Sequence, residues 1–442
     1  QDSFSVVAFS KLLDSSMLFI FLVSMCLHLS RATLYWPADS DGTVTIPYYF
    51  DQSIPGGDVR RNVFRRAAEM YKRYTCIEWT ETSKADTPGS IVKVLDTNDG
   101  CVSDIGRKLN TVNEIDIQNY CNKIGMIIHE MGHTLGMEHT QTRPDRDNYV
   151  HIWTQNIIPQ HVEQFDKKQQ DNHGLPYDYL SMMHYGYLHG SINGKFTITP
   201  RNPLVFFGMG LDRSEFRWSD IAWINKQYKC GDKFLKTCAY LNCQNGGYVG
   251  KNCKCSCPED TEGELCDVKT GNFYDYSKIL KCGEVIYKPG WVRSNGFKEC
   301  AFQVKAPQCH NVQITIKAAY LPSRSCVKNF LNLQLSENKY GNHYCRQSDV
   351  PTDKVMSSDG PNAAIYYKIP EQSYPGMTAT VDLVPDKRWP TVASTIPQSS
   401  ISKDIKFSGP CTIQKIEDKK YVYSTPNYPS RVACFAHCEM SF

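Results

Sequence analysis

His129-Glu-Met-Gly-His-Thr-Leu-Gly-Met-Glu-His139 is the stretch whose reading decides the rest, a pattern H-E-x-x-H-x-x-G-x-x-H. On a helix, His129 and His133 stand four apart, so both imidazoles leave one face, a turn from each other. Two imidazoles at that spacing can close on one zinc ion at ~2.0–2.1 Å. Glu130 lies beside the first of them and can reach a water on the metal as general base. Gly136 can take positive φ, end the helix and turn the chain back, bringing His139 round as a third ligand. Three protein ligands leave one position open, the mark of a catalytic rather than a structural zinc site. The bland alternative is an amphipathic helix with ordinary core or surface histidines. The added glycine and third histidine weigh against it.

The totals set the frame. At 442 residues the chain is expected to hold about three domains. Apolar residues make up 41% and aromatic residues 12%, enough for packed cores. A net charge of +3, with no long basic run, gives no pointer to nucleic acid or to electrostatic membrane binding. Nineteen cysteines, concentrated after Cys230, imply oxidative folding and a secreted, extracellular protein. No Asn-x-Ser/Thr sequon is present, so N-glycosylation is not expected.

The chain opens on Gln1 rather than Met and is expected to be a fragment or an imperfect gene model. Within the N-terminal segment 1–32, the apolar run Met17–Leu29 is short for a membrane span of ~20 residues. It reads as the core of a secretory signal; a signal anchor and a buried helix are the alternatives. No stable membrane span is expected. Residues 33–230 read as one domain. Thr43–Tyr49, Ile77–Thr80 and Ile91–Leu95 look like strands. Asp58–Tyr74 carries Val59, Val63, Phe64, Ala67 and Tyr71 at helical spacing, with Asp58 as N-cap. Asn122–Leu135 is the helix of the histidine motif, and Ser219–Tyr228 a last helix. Helix and sheet segregate along the chain, which predicts an α+β domain.

Further residues narrow the reading. Asp178-Tyr-Leu-Ser-Met-Met-His-Tyr185 resembles the Met-turn of the astacins, a family of metzincin zinc endopeptidases. Arg143-Pro-Asp-Arg-Asp147, Trp36-Pro37 with Ile46-Pro-Tyr48, and the placing of Cys76, Cys101, Cys121 and Cys230 match that family as well. The resemblance implies a metzincin-type fold, one catalytic Zn2+ held by His129, His133 and His139, and disulfides pairing Cys76 with Cys230 and Cys101 with Cys121. It implies Glu130 as general base and Tyr185 as a phenol near the metal that donates to the oxyanion. Met183 would lie as an apolar floor under the imidazoles. The chain departs from the family at Thr140, where astacins usually carry the Glu that helps anchor the mature N-terminus.

Downstream, six cysteines within 238–266, with Asn245-Gly-Gly247, resemble an EGF-like module. That family's pattern implies pairs 238–253, 243–255 and 257–266. A core so small needs such staples. A thiolate metal cluster is the alternative, disfavoured in a secreted chain. Residues 282–385 alternate apolar and polar positions, as in Asn311-Val-Gln-Ile-Thr-Ile-Lys317, which predicts half-buried strands in an all-β sandwich. With Tyr287-Lys-Pro-Gly290 and Ala306-Pro307 this resembles a CUB domain; an unrelated sandwich is the alternative. Cys326 and Cys345 have the spacing of that family's second disulfide, and Cys282 with Cys300 would leave Cys309 over. Residues 386–410, rich in Pro, Ser and Thr, read as a linker. Residues 411–442, with Ser424-Thr-Pro-Asn-Tyr-Pro429, resemble the opening of a second CUB domain, too short to bury a core.

The expectation is a secreted zinc endopeptidase acting on extracellular proteins, by analogy matrix, cuticle, eggshell or host-tissue proteins. A catalytically inactive relative acting as an extracellular binding protein is the second reading. It would fit the loss of Glu130 or of one histidine, and all four residues are present.

Overall fold

Strands alternate with one long helix at the start of the chain, and the alternation follows from local signals. In the computed structural model, β1 (Val44–Phe50) leads to α1 (Val59–Tyr74), then β2 (Ile77–Glu81), β3 (Ile91–Leu95), β4 (Cys101–Ser103), β5 (Val112–Ile117) and α2 (Ile124–Thr134). The structure describes residues 33–386, apart from 84–89, 110, 203–204, 206–208, 211–213, 239, 275–281, 295, 298, 324–328, 337–340 and 370–375, together with strand backbone at 412–417, 420–424 and 439–441. The signal-like run 17–29 and nearly all of the 386–410 linker lie outside the described residues. Among the described residues, no helix is long and apolar enough to cross a membrane.

The chain divides between Met137 and Glu138 into two units. In the first, the sheet order is β2-β1-β3-β5-β4. The β1–β2, β1–β3 and β3–β5 pairs are parallel, and β4 runs antiparallel to β5. Segregation of helix from strand therefore understates the parallel character of this sheet. Asp58 caps α1 as expected, accepting from the Arg60 N–H at 2.8 Å. Phe64, Ala67 and Tyr71 are buried along one stripe of α1, whereas Val59, at the first turn, is 58% exposed. The Tyr71 hydroxyl donates to the Ile128 carbonyl at 2.6 Å, tying α1 to α2. Cys101 is bonded to Cys121.

The second unit begins with irregular chain and short 3-10 turns, a two-stranded ladder of β6 (Val150–Ile152) and β7 (Ile198–Pro200), then α3 (Trp218–Gln227) and α4 (Cys230–Phe234). Residues 238–266 are held by three disulfides, Cys238–Cys253, Cys243–Cys255 and Cys257–Cys266, around short hairpin ladders. From Val285 to Pro385 the chain forms two sheets. Five strands lie in the order 285–286, 299–305, 362–368, 330–334, 342–344; four lie in the order 290–293, 377–385, 310–319, 355–357. The predicted alternation is present: Val312, Ile314 and Ile316 are fully buried among Phe302, Leu331 and Val381. Strand 330–334 is not half-buried, however; all five residues are buried. Its inner residues Leu331 and Leu333 face the sandwich core, and Phe330 packs instead with Phe196, Tyr187 and Tyr366. Cys282 pairs with Cys300 as expected, but Cys309, expected to be left over, is disulfide-bonded as well. Among the described residues of the 411–442 segment, three strands form an antiparallel ladder.

Candidate metal centre

The helix that carries the first two histidines is fixed by what it buries. Ile127, Ile128 and Met131 are fully buried, which leaves His129 partly exposed and sets His133 beside it. The two rings are 4.6 Å apart and perpendicular. The Nδ1 of His133 lies 2.7 Å from the Met137 carbonyl, so Nδ1–H donates there and Nε2 is left with its lone pair outward. Burial first, and then the neighbouring His129, pull the His133 pKa down to about 3, which keeps the ring neutral as a ligand must be.

Gly136 ends the helix as the sequence predicts, at φ +91°. Its N–H donates to the His133 carbonyl at 2.7 Å, and the Met137 N–H to the Gly132 carbonyl at 3.0 Å, a Schellman closure. Two end carbonyls are met from outside the helix: His133 O by the Gly106 N–H at 2.8 Å, Thr134 O by the Trp36 indole at 2.9 Å. A Cβ at Gly136 would lie 2.7 Å from a ring carbon of Tyr35, so the position tolerates no side chain.

His139 follows two residues after the helix closure and caps a 3-10 turn, Thr140–Thr142. The ligand atoms of His129, His133 and His139 all lie within 4.8 Å of one another. Three imidazole nitrogens, one of them already oriented by a backbone carbonyl, are the donor set of an open zinc site. The residues therefore fit the metal that the motif implies. Glu130, between the first two, is 4% exposed, and burial with a smaller push from Asp116 raises its carboxyl to about 8.

Around His139, the ring of Tyr185 lies 4.2 Å away, and Tyr185 is stacked on His189 at 3.6 Å, with its hydroxyl 3.4 Å from Gln164 Oε1. The Thr140 N–H donates to the Met183 carbonyl at 3.0 Å, and Met183 is buried. The sequence reading missed what holds this turn. Asp220 accepts from the Ser181 hydroxyl at 2.6 Å and from the Met182 N–H at 3.0 Å. Asp178 accepts from the Leu180 N–H at 2.8 Å, the Ser219 hydroxyl at 2.6 Å and Arg217 Nε at 3.2 Å. Both carboxylates are 2% exposed. Burial outweighs the donors and raises Asp220 to about 6. One signal was available: Asp220 sits three residues after Arg217 at a helix start, the place from which an acidic residue reaches back to a backbone N–H.

The family model described as Astacin, a peptidase family, matches residues 32–229. This segment is an astacin-family domain. Astacins are zinc metalloendopeptidases, and a triad of histidines that could hold a metal ion is present here. The chain is 31% identical over 331 residues to zinc metalloproteinase nas-31 of Caenorhabditis elegans, covering 72% of this chain and 52% of that protein. It is 29% identical over 345 residues to blastula protease 10 of Paracentrotus lividus, covering 74% and 56%. The chain thus spans about half the length of the curated relatives it matches. Among solved structures, it resembles high choriolytic enzyme 1, a hatching enzyme zinc-protease from Oryzias latipes, at 36% identity, 44% coverage of this chain, 94% of that one, and a TM-score of 0.41.

Proposed function

We propose that the chain is a secreted zinc-dependent endopeptidase that hydrolyses peptide bonds of extracellular proteins. The convergence of three imidazoles in an astacin-family domain, with a buried carboxylate next to the first, carries this reading. His129, His133 and His139 would hold a zinc ion, which when bound would supply a Lewis acid for the scissile carbonyl and a water that is easier to deprotonate. Glu130 takes the proton from that water and returns it to the leaving amine, so water adds across the C–N bond with no acyl-enzyme. The Tyr185 hydroxyl donates to the oxygen that gains charge. His133 stays in the right tautomer because Met137 holds its Nδ1–H.

The rest of the chain is assigned as modules that hold the protease near its substrate: an EGF-like module at 238–266 and a CUB-like domain at 282–385, after a protease domain at 33–230. Three disulfides in the first and a two-sheet sandwich in the second support the assignment. We assign 17–29 as the secretory signal, 386–410 as a linker and 411–442 as the opening of a second CUB-like domain. The described disulfides agree with secretion.

Mass-spectrometric mapping of products from a peptide library tests the function. The zinc-loaded chain should cut internal bonds; a chelator should abolish cutting, and E130Q should abolish it with zinc still bound. A zinc-loaded chain that cuts no unfolded polypeptide, or an E130Q variant as active as its parent, would overturn the reading.

A further inference from the structure

The hydrogen bonds behind the Met-turn run on, without interruption, into the small disulfide-held module at 238–266. Arg217 stands at the junction. Its Nε donates to Asp178 at 3.2 Å, and its Nη2 donates to Glu259 at 2.6 Å. Its own backbone N–H donates to Asp220 at 3.2 Å. One residue on, the indole N–H of Trp218 donates to the Ser256 carbonyl at 3.1 Å, and its ring packs at 6.2 Å from both Tyr248 and Phe273. The module therefore grips the first turn of α3 by two side chains. That same turn grips residues 180–182 through Asp178 and Asp220. Ser181 passes the contact to the Met183 N–H at 3.0 Å, and the Met183 carbonyl receives the N–H of Thr140, next to His139.

We propose that the 238–266 module is a positioning element of the metal centre, acting through Glu259 and Arg217 on the Met-turn and from there on His139. The inference rests on the zinc-site reading above and adds a coupling to it. Arg217 is suited to the junction because a guanidinium is planar and always charged, and fixes two carboxylates at a set angle. Asp178 is buried, so loosening Arg217 leaves a poorly compensated carboxylate behind the turn. Glu259 is the lever: its side chain is 40% exposed and joins the module to Arg217 by an ion pair. Groups that support metal ligands from behind change metal affinity or rate without touching metal or substrate.

The test compares the zinc-loaded full chain with E259Q, R217K and, as a control just beyond the module's last cysteine, K269Q, whose target is the exposed partner of the module's Asp260. Two readouts are taken: the rate at which zinc passes to a chromogenic chelator, and kcat and KM on a peptide. E259Q should release zinc about three- to tenfold faster and lose a similar factor in kcat with KM within about twofold. R217K, which keeps the charge but not the fork, should do the same, and K269Q should change neither readout. E259Q and R217K that match the parent in zinc release overturn the proposal, as does K269Q shifting it equally. Should E259Q fail to fold, E259D, which keeps the charge but draws it back from Arg217 while leaving the Arg217–Asp178 bond in place, decides. The chelator arm needs no peptidase activity, so a parent that binds zinc but cuts nothing would defeat the peptidase reading while the coupling is still measured.

Discussion

The backbone N–H of Thr140 donates to the carbonyl of Met183 at 3.0 Å, which ties the residue after the third imidazole to the turn that follows 43 positions later. The bond uses no side-chain atom of residue 140, so the unusual threonine does not weaken it. T140V, which keeps the N–H and the shape, should leave zinc release within about twofold of the parent. T140P removes the donor and should speed release by about tenfold, the equivalent of one lost hydrogen bond. Chelator competition checks both.

Gly136 sits at φ +91° with a ring carbon of Tyr35 where a Cβ would go. G136A meets both the backbone penalty and the clash, so a loss of about 2 kcal/mol or more in urea unfolding is expected. Because the same turn delivers His139, zinc affinity should fall with it. The double variant of Y35A with G136A should recover part of the stability, since the closest clash is gone and what remains is the backbone penalty and the Thr33 methyl at 3.1 Å.

Glu130 gives a pH signature when zinc is stripped by a chelator. Its carboxyl is raised from 4.5 to about 8, so the folded chain holds a proton that the unfolded chain releases. That stabilisation is complete below pH 4.5 and is lost as pH rises toward 8. His133 acts in the opposite sense: lowered from 6.5 to about 3, it loses stability as pH falls below 6.5. Between pH 6.5 and 8 the Glu130 slope therefore stands without the His133 slope against it. Stripped protein should lose about 1–2 kcal/mol across that window, and E130Q should flatten the dependence. Urea titrations at several pH values give the answer.

Arg60 is 3% exposed and joins three acceptors: Asp58 at 2.6 Å, Asp96 at 2.7 Å and the Ile117 carbonyl at 2.5 Å. R60A leaves two poorly hydrated carboxylates and an orphaned carbonyl. A loss of about 3 kcal/mol is expected. R60K should recover less than half of it, because an ammonium cannot fork between the two aspartates. Thermal unfolding of both variants is the check.

Tyr185 lies between the rings of His139 and His189, with its hydroxyl directed to Gln164. Y185F keeps the stacking and removes the donor. Zinc content should be unchanged, while kcat falls by roughly a hundredfold with little change in KM. A matched fall in zinc content would assign the hydroxyl to metal retention instead.

The parts of this protein that were legible in its sequence are those whose cause is local. His129, His133 and Gly136 announce themselves because helical periodicity and a positive-φ glycine act over a few residues. Asp58 is readable as a cap for the same reason. Strands 101–103 and 112–117 escaped, since Val112-Asn-Glu-Ile-Asp-Ile117 places Asn113 and Asp116, both buried, among its apolar positions. Asn113 is tolerated there because its amide donates to the Gly106 carbonyl at 2.7 Å, a partner invisible to any periodicity. Arg60 reads as a surface charge until Asp96 arrives from 36 residues away. The carboxylates behind the Met-turn lie about forty positions from the groups they bind, and only folding brings them there.

Phe330 has a larger implication than its place in a strand suggests. Its ring meets Phe196 at 5.7 Å, Tyr187 at 5.7 Å and Tyr366 at 5.3 Å, so the sandwich is keyed by interlocked aromatic edges to the loop that follows the Met-turn. An accessory domain on a slack tether raises local concentration over a sphere of radii. One bolted down in this way keeps a single orientation to that loop, because interlocked rings resist both sliding and rotation.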